Sequence, residues 1–191
     1  GVHGILHTHT RTAEAVKAFV QITRYPFQEL ERDVIGEGLR GAGGQKPAND
    51  IWGMTGAEYA KAADPWPLNP DGELILGLKI EDRFCLENVD EIVEVPGIGF
   101  AEWGPGDMGM SLGHPDAHDP PYPQEMNDAR DKIAAALKRK DIGFYASWAD
   151  DKMTMEQRVD YSIDVVGVKM MGATEEWAAY GRKKTGRTMP V

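Results

Sequence analysis

The sequence predicts an α/β fold built on a parallel sheet, and three observations carry that prediction. Short apolar runs alternate with helix-patterned segments along most of the 191 residues. The stretch from Leu74 to Gly113 is a complete strand–helix–strand unit, whose strands should be parallel neighbours. Its two strands end close to Glu81 and Asp107, so each delivers a carboxylate into the following loop, where parallel α/β units keep their chemistry.

Residues 2–6 read as a buried strand that runs into His7-Thr8-His9-Thr10. Residues 12–24 form a helix, with Ala15, Val16, Phe19, Val20 and Thr23 on one stripe and Pro26 as the stop. Residues 28–49, with Gly41-Ala42-Gly43-Gly44, read as a long loop across the protein face; they lack the Lys-Ser/Thr ending of a phosphate-binding loop. Thr55-Gly56-Ala57-Glu58 has the form of a capping box, opening a short helix to about residue 63. Pro65, Pro67 and Pro70 with Asp71-Gly72 make a rigid connection.

The central unit follows. Its first strand spans 74–80. Its helix spans about 83–93, with Cys85, Leu86, Val89, Ile92 and Val93 inward, and Pro96-Gly97 ends it. Its second strand spans 98–103 and enters the turn Gly104-Pro105-Gly106-Asp107. A polar loop at 114–122 precedes the strongest helical pattern, 123–140, whose basic end Lys138-Arg139-Lys140 suits the helix dipole. Residues 142–147 are a short strand. Asp150 or Asp151 caps a helix over 154–161, residues 164–171 read as a fifth buried strand, and 174–184 as a last amphipathic helix before a tail. Five β/α units do not close an eight-stranded barrel, which usually needs about 250 residues. Closure would take about three more units before Gly1. The chain opens on Gly and enters a strand pattern at once, so a preceding segment is expected.

Composition narrows the partners. The net charge of −10 argues against general nucleic-acid affinity and against anchoring to an anionic membrane. No apolar run approaches the roughly 20 residues of a membrane span. The single cysteine, Cys85, excludes an internal disulfide, points to a reducing cytoplasm and sits where a core thiol belongs.

Two carboxylates at adjacent strand ends repel unless something positive lies between them. A Mg²⁺ or Mn²⁺ ion held by Glu81 and Asp107 would leave positions for the keto and carboxylate oxygens of a 2-oxo acid, polarise its carbonyl and favour its enolate. Backbone N–H groups around Gly104, Pro105, Gly106 and Asp107 would meet the substrate carboxylate. On spacing alone a second reading stands beside this one, in which Glu81 and Asp107 are helix caps or salt-bridge partners. His7 and His9, a His-x-His pair at a strand end, are candidates for a proton shuttle or a metal contact. His3 reads as structural, and His114 and His118 as loop histidines. Trp103 reads as packing, Ser111 as a hydrogen-bonding group of the turn, and Trp148 as a contact for an aldehyde at the mouth.

Lys79-Ile80-Glu81, Leu86-Glu87-Asn88-Val89-Asp90-Glu91-Ile92 and Gly104-Pro105-Gly106-Asp107-Met108 with Ser111-Leu112-Gly113 resemble the signature of the HpcH/HpaI aldolase family. Further segments agree in order and spacing: Thr12-Ala13-Glu14-Ala15 with Thr23-Arg24-Tyr25-Pro26, Ala101-Glu102-Trp103, and residues 165–172. The resemblance implies a (β/α)8 TIM barrel of which this chain covers about the last five units as a single domain. It implies a homo-oligomer, typically a hexamer of helix-exchanging dimers. It also implies reversible, metal-dependent aldol cleavage of 4-hydroxy-2-oxo acids to pyruvate and an aldehyde, with Glu81 and Asp107 as ligands and Gly106 and Asp107 N–H groups on the substrate carboxylate.

The chain departs from the family at Lys79, where Gln is usual. A cation there would bind substrate directly or pair with Glu81. The family's catalytic Arg and His–Asp base pair align before Gly1. Two alternatives therefore remain: a citrate-lyase-like enzyme acting on an acyl-CoA, and a non-catalytic binding or assembly subunit.

Overall fold

The structure, a computed structural model, describes residues 1–146 and 150–188. Its strands are β1 (Gly4–His7), β2 (Pro65–Trp66), β3 (Leu74–Ile80), β4 (Phe100–Trp103) and β5 (Gly143–Tyr145). Every pairing is parallel, in the order β1-β3-β4-β5, with β2 against the start of β3. The helices are α1 (Ala13–Thr23), α2 (Arg32–Ile35), α3 (Gln45–Trp52), α4 (Gly56–Ala62), α5 (Arg83–Glu87), α6 (Val89–Ile92), α7 (Pro105–Leu112), α8 (Gln124–Arg139), α9 (Met155–Tyr161) and α10 (Glu175–Thr185). The α/β class with a parallel sheet stands. Among the described residues the sheet is an open wall and does not close on itself. No helix among them is long and apolar enough to cross a membrane.

The two faces of the wall differ. On β3, Leu76, Leu78 and Ile80 are buried in the main core with residues of α1, α5, α6 and α8, while Leu74 packs into a second cluster with Tyr25, Ala48, Tyr59 and Ala63. The alternate residues Ile75 and Lys79, with Phe100 and Glu102 on β4, are half-exposed on the other face. Gly77 breaks that alternation because the Phe100 ring lies across it; a Cβ there would be 2.2 Å from the ring.

Several expectations are corrected. The strand expected at 164–171 is not formed. After α9 the chain winds into a π-helical turn, Ser162–Val166, and only Met170 bridges to Tyr145. Ser162 is buried while Val165 is 66% exposed, so this segment is read by helical rather than strand alternation. The 28–49 loop contains α2, a 3₁₀ turn at Ala42–Gly44 and the start of α3. Pro47 is the third residue of α3, where no intrahelical N–H bond is needed, so the helix accommodates it. The helix expected over 83–93 breaks at Asn88, whose side-chain amide donates to the carbonyls of Phe84 (3.2 Å) and Arg11 (2.9 Å) while its backbone N–H also closes on Phe84 O (3.3 Å). The strand at the start is less buried than expected, with Ile5 37% and Leu6 39% exposed, because β1 ends the sheet.

Helix ends otherwise follow the local chemistry. Thr55 and Glu58 form the expected reciprocal cap. At α9, however, Thr154 and Gln157 make the capping box, while Asp150 accepts the Lys152 N–H. Ser147 and Trp148 lie outside the described residues.

Candidate functional site

Three chain segments meet at the C-terminal end of the wall. The first is the turn after β1. His9 there has φ +48°, a conformation uncommon outside glycine but one that histidine tolerates better than most residues. That turn aims its backbone N–H at Glu81, which accepts on Oε1 at 3.0 Å. The His9 ring stands above, with Nδ1 3.6 Å from Glu81 Oε1 and 3.5 Å from Asp82 Oδ2.

The second segment is the end of β3. Lys79 and Glu81 share one side of the chain, and Ile80 and Asp82 the other. Glu81 is 1% exposed. Its second oxygen, Oε2, is buried with no hydrogen-bond partner; the Lys79 Nζ lies 3.0 Å away as an ion pair, off the hydrogen-bonding direction. Asp82 caps α5 by accepting the Cys85 N–H (2.9 Å) and pairs with Arg11 Nε (2.7 Å).

The third segment is the start of α7. The expected turn at Gly104–Asp107 is the N-terminus of this helix, with Gly104 as N-cap, Pro105 as first residue and Asp107 in the first turn. Such a start suits proline and an acidic residue. The helix ladder begins with Met108 N–H to Gly104 O, 3.1 Å, so the N–H groups of Gly106 and Asp107 precede it as first-turn donors. Gly104 is required by packing. A Cβ there would lie 2.8 Å from Glu81 Cβ and Oε2 and 3.2 Å from Lys79 Cε. His118 closes over Gly106, where a Cβ would meet its ring at 2.8 Å.

His9, Glu81 and Asp107 each place one ligand atom within 4.8 Å of the others. Two carboxylates and an imidazole suit a divalent ion such as Mg²⁺ or Mn²⁺ with positions left for water or substrate. The buried Glu81 Oε2 already faces a cation, the Lys79 ammonium at 3.0 Å, so its surroundings suit a positive charge.

The charges around it are coupled. The Glu81 carboxylate holds the Lys79 ammonium above its usual range against desolvation, with Glu102 and Asp107 adding to the effect. Burial raises the Glu102 carboxyl, and the Lys79 charge draws it back in part. For Asp82 burial acts upward, but the Cys85 N–H and the Arg11 side chain outweigh it and the net direction is downward.

The cluster thus brings together Lys79, Glu81, Gly104, Pro105, Gly106, Asp107 and His9. His7 is not part of it. Its ring turns to the helix side, stacked on Phe19 at 5.0 Å and bonded to Thr10 at 2.8 Å. His3 stacks on Trp52 at 4.1 Å, and His114 pairs with Glu125. Ser111 accepts the Arg83 N–H, tying α7 to α5. Trp103 packs edge-on to Tyr122 in the core. Burial pushes the Cys85 thiol up to about 12, which makes it an inert core residue. Glu102 and Asp82 were not singled out from the sequence. The signal for Glu102 was its place on β4 opposite Lys79, which only the strand register reveals.

Residues 1–171 match the family model described as HpcH/HpaI aldolase/citrate lyase. A 2-keto-3-deoxy-L-rhamnonate aldolase of Klebsiella pneumoniae subsp. pneumoniae is 35% identical over 147 residues, covering 76% of this chain and 48% of that protein. A hydroxypyruvate/pyruvate aldolase of Deinococcus radiodurans is 33% identical over 114 residues, covering 60% of this chain and 35% of that protein. The chain spans about half the length, or less, of these curated relatives. Among solved structures, an HpcH/HpaI aldolase from Desulfitobacterium hafniense DCB-2 superposes with TM-score 0.64 at 21% identity, covering 100% of this chain and 66% of that one. A family protein from Burkholderia cenocepacia J2315 gives TM-score 0.70 at 19% identity, covering 97% and 63%. At these identities the structures speak for the fold alone.

Proposed function

The chain belongs to the HpcH/HpaI aldolase/citrate lyase family, and from that premise we propose that it is the metal-site portion of a divalent-metal-dependent carbon–carbon lyase. The reaction is reversible aldol cleavage of a 4-hydroxy-2-oxo acid to pyruvate, or a related 2-oxo acid, and an aldehyde. The observation that carries this reading is the convergence of His9, Glu81 and Asp107, whose ligand atoms lie within 4.8 Å of one another at the C-terminal end of the wall. The aldolase names of both relatives favour this over an acyl-CoA lyase.

Glu81 and Asp107 would hold Mg²⁺ or Mn²⁺, with His9 within reach as a third contact. When bound, such an ion supplies Lewis-acid polarisation of the 2-oxo carbonyl, which makes the adjacent C–H acidic and the C3–C4 bond cleavable. The first-turn N–H groups of Gly106 and Asp107 orient the substrate by its carboxylate. The His9 N–H fixes the Glu81 carboxylate so that Oε2 faces the site. The His9 ring, exposed at the mouth, is placed to take or return a proton near the reacting carbons in the arrangement where Glu81 and Asp107 alone hold the ion.

We read residues 1–191 as a single domain forming part of a barrel wall, in a cytoplasmic homo-oligomer acting on small molecules. The single buried cysteine and the acidic surface support that setting.

The test is cleavage of 2-keto-3-deoxy sugar acids, read as pyruvate release. Activity should vanish on chelation and return with Mn²⁺ or Mg²⁺. Full activity in EDTA would count against the reading.

A further inference from the structure

The metal reading leaves Lys79 without a task. Its Nζ lies 3.0 Å from Glu81 Oε2. Because Oε1 already accepts the His9 N–H, Oε2 is the oxygen left for coordination, and the ammonium stands in front of it. An ammonium and a divalent ion cannot both sit at contact distance from one buried oxygen, since their mutual repulsion grows steeply where water is excluded. Entry of the ion therefore requires the ammonium to leave.

The register supplies a destination. Lys79 on β3 is directly opposite Glu102 on β4. Adjacent strands lie about 4.8 Å apart, within reach of a four-carbon side chain. Both residues are half-exposed on the same open face of the sheet, so the move needs no rearrangement of the core. The absent Cβ at Gly104 leaves the Lys79 stem room to turn, its Cε being 3.2 Å from where that atom would be. Around this one ammonium stand Glu81, Glu102 and Asp107, each contributing to its electrostatic environment.

We propose that Lys79 is a built-in counter-ion that occupies Glu81 Oε2 in the metal-free protein and passes to Glu102 when a divalent cation enters, so that this exchange sets the metal affinity. Lys79 is thus a positioning residue acting through Glu81. The inference rests on the metal reading above and adds a competitor to it.

The experiment is a Mn²⁺ titration of the purified protein, with free Mn²⁺ counted by electron paramagnetic resonance and no substrate present. Lys79→Gln should tighten Mn²⁺ binding by about tenfold, and Lys79→Met should behave alike. Lys79→Arg, which keeps the cation, should stay close to wild type. Glu102→Gln should weaken binding several-fold in the wild-type background, and that loss should largely disappear in the Lys79→Gln background, because there is no ammonium left to receive. Unchanged or weaker binding in both Lys79→Gln and Lys79→Met overturns the inference while leaving the metal site standing. A Glu102 effect of equal size in both backgrounds overturns the hand-over, since it would report only the field of a third carboxylate. If wild type and every variant, Glu81→Gln included, take up no saturable Mn²⁺, the metal reading fails and this inference falls with it.

Discussion

Arg24–Asp64 and Lys79–Glu81 are both buried ion pairs, and they differ in how fully their atoms are satisfied. Arg24 and Asp64 are 1% and 2% exposed at the side chain. Asp64 accepts from Arg24 Nε (2.7 Å) and Nη2 (3.4 Å) and from Asn69 (3.1 Å), while Arg24 also donates to the Leu30 carbonyl. That pair is saturated, and it clamps the end of α1 to the segments on either side of the Gly-rich stretch. Glu81 is as deeply buried, yet one of its oxygens has an ion-pair neighbour and no hydrogen bond, and its partner is 26% exposed and able to move. A saturated pair fixes structure. An unsaturated pair held by a saturated surround keeps the capacity to bind something else.

The sharpest way to break this comparison is to cut the first pair. Arg24→Met leaves Asp64 an uncompensated buried charge and should cost about 3–5 kcal/mol in urea unfolding, much of it recovered when Asp64→Leu is added. A cost under about 1 kcal/mol would show the clamp to be idle. Cutting the second pair should act on binding instead. Glu81→Gln should weaken Mn²⁺ by at least about 100-fold, or roughly 2.7 kcal/mol, and leave thermal unfolding near that of wild type.

Gly104→Ala should sharpen the comparison from the packing side. Its new methyl group meets the Glu81 side chain, so a loss of about 1–3 kcal/mol in stability should accompany weaker Mn²⁺ binding. The smallest effect is expected at Asp82, whose folded carboxyl lies below its usual range. A depressed acid contributes stability that is complete above about pH 4, its unfolded value, and lost as pH falls through the lower folded value. Asp82→Asn keeps the cap acceptor but loses the charge on Arg11. It should cost about 0.5 kcal/mol at pH 7, with the difference shrinking as pH falls below about 4.

The central unit was legible because it obeys two local rules at once. β3 reads as an apolar run interrupted only by Lys79, and the carboxylates fall where a parallel strand ends. Gly104 and Pro105 announced a special backbone, although the reading as a turn missed that Pro105 opens a helix. The outer segments were read less well where local pattern and tertiary demand diverge. Residues 164–171 have strand composition, yet α9 continues into a wider helical turn instead of joining the sheet. Pro47 hid α3, and Asn88 split a helix that apolar spacing alone makes continuous. For the histidines, the His-x-His spacing could not say which ring faces the mouth. The strand register decides it for His7, which lies opposite the buried Leu78 and stacks on Phe19, while the left-handed backbone at His9 aims its N–H at Glu81.

From Lys79 to Asp82, consecutive residues serve opposite sides of the wall: ammonium, core methyl groups, buried carboxylate, helix cap. That alternation makes the site a matter of reading frame. Losing or gaining one residue between Leu74 and Ile80 would point Ile80 at the open face and drive Lys79 into the core, even with every residue type retained. At the end of β3 the chain tolerates exchange of one residue for another far better than any change in their number.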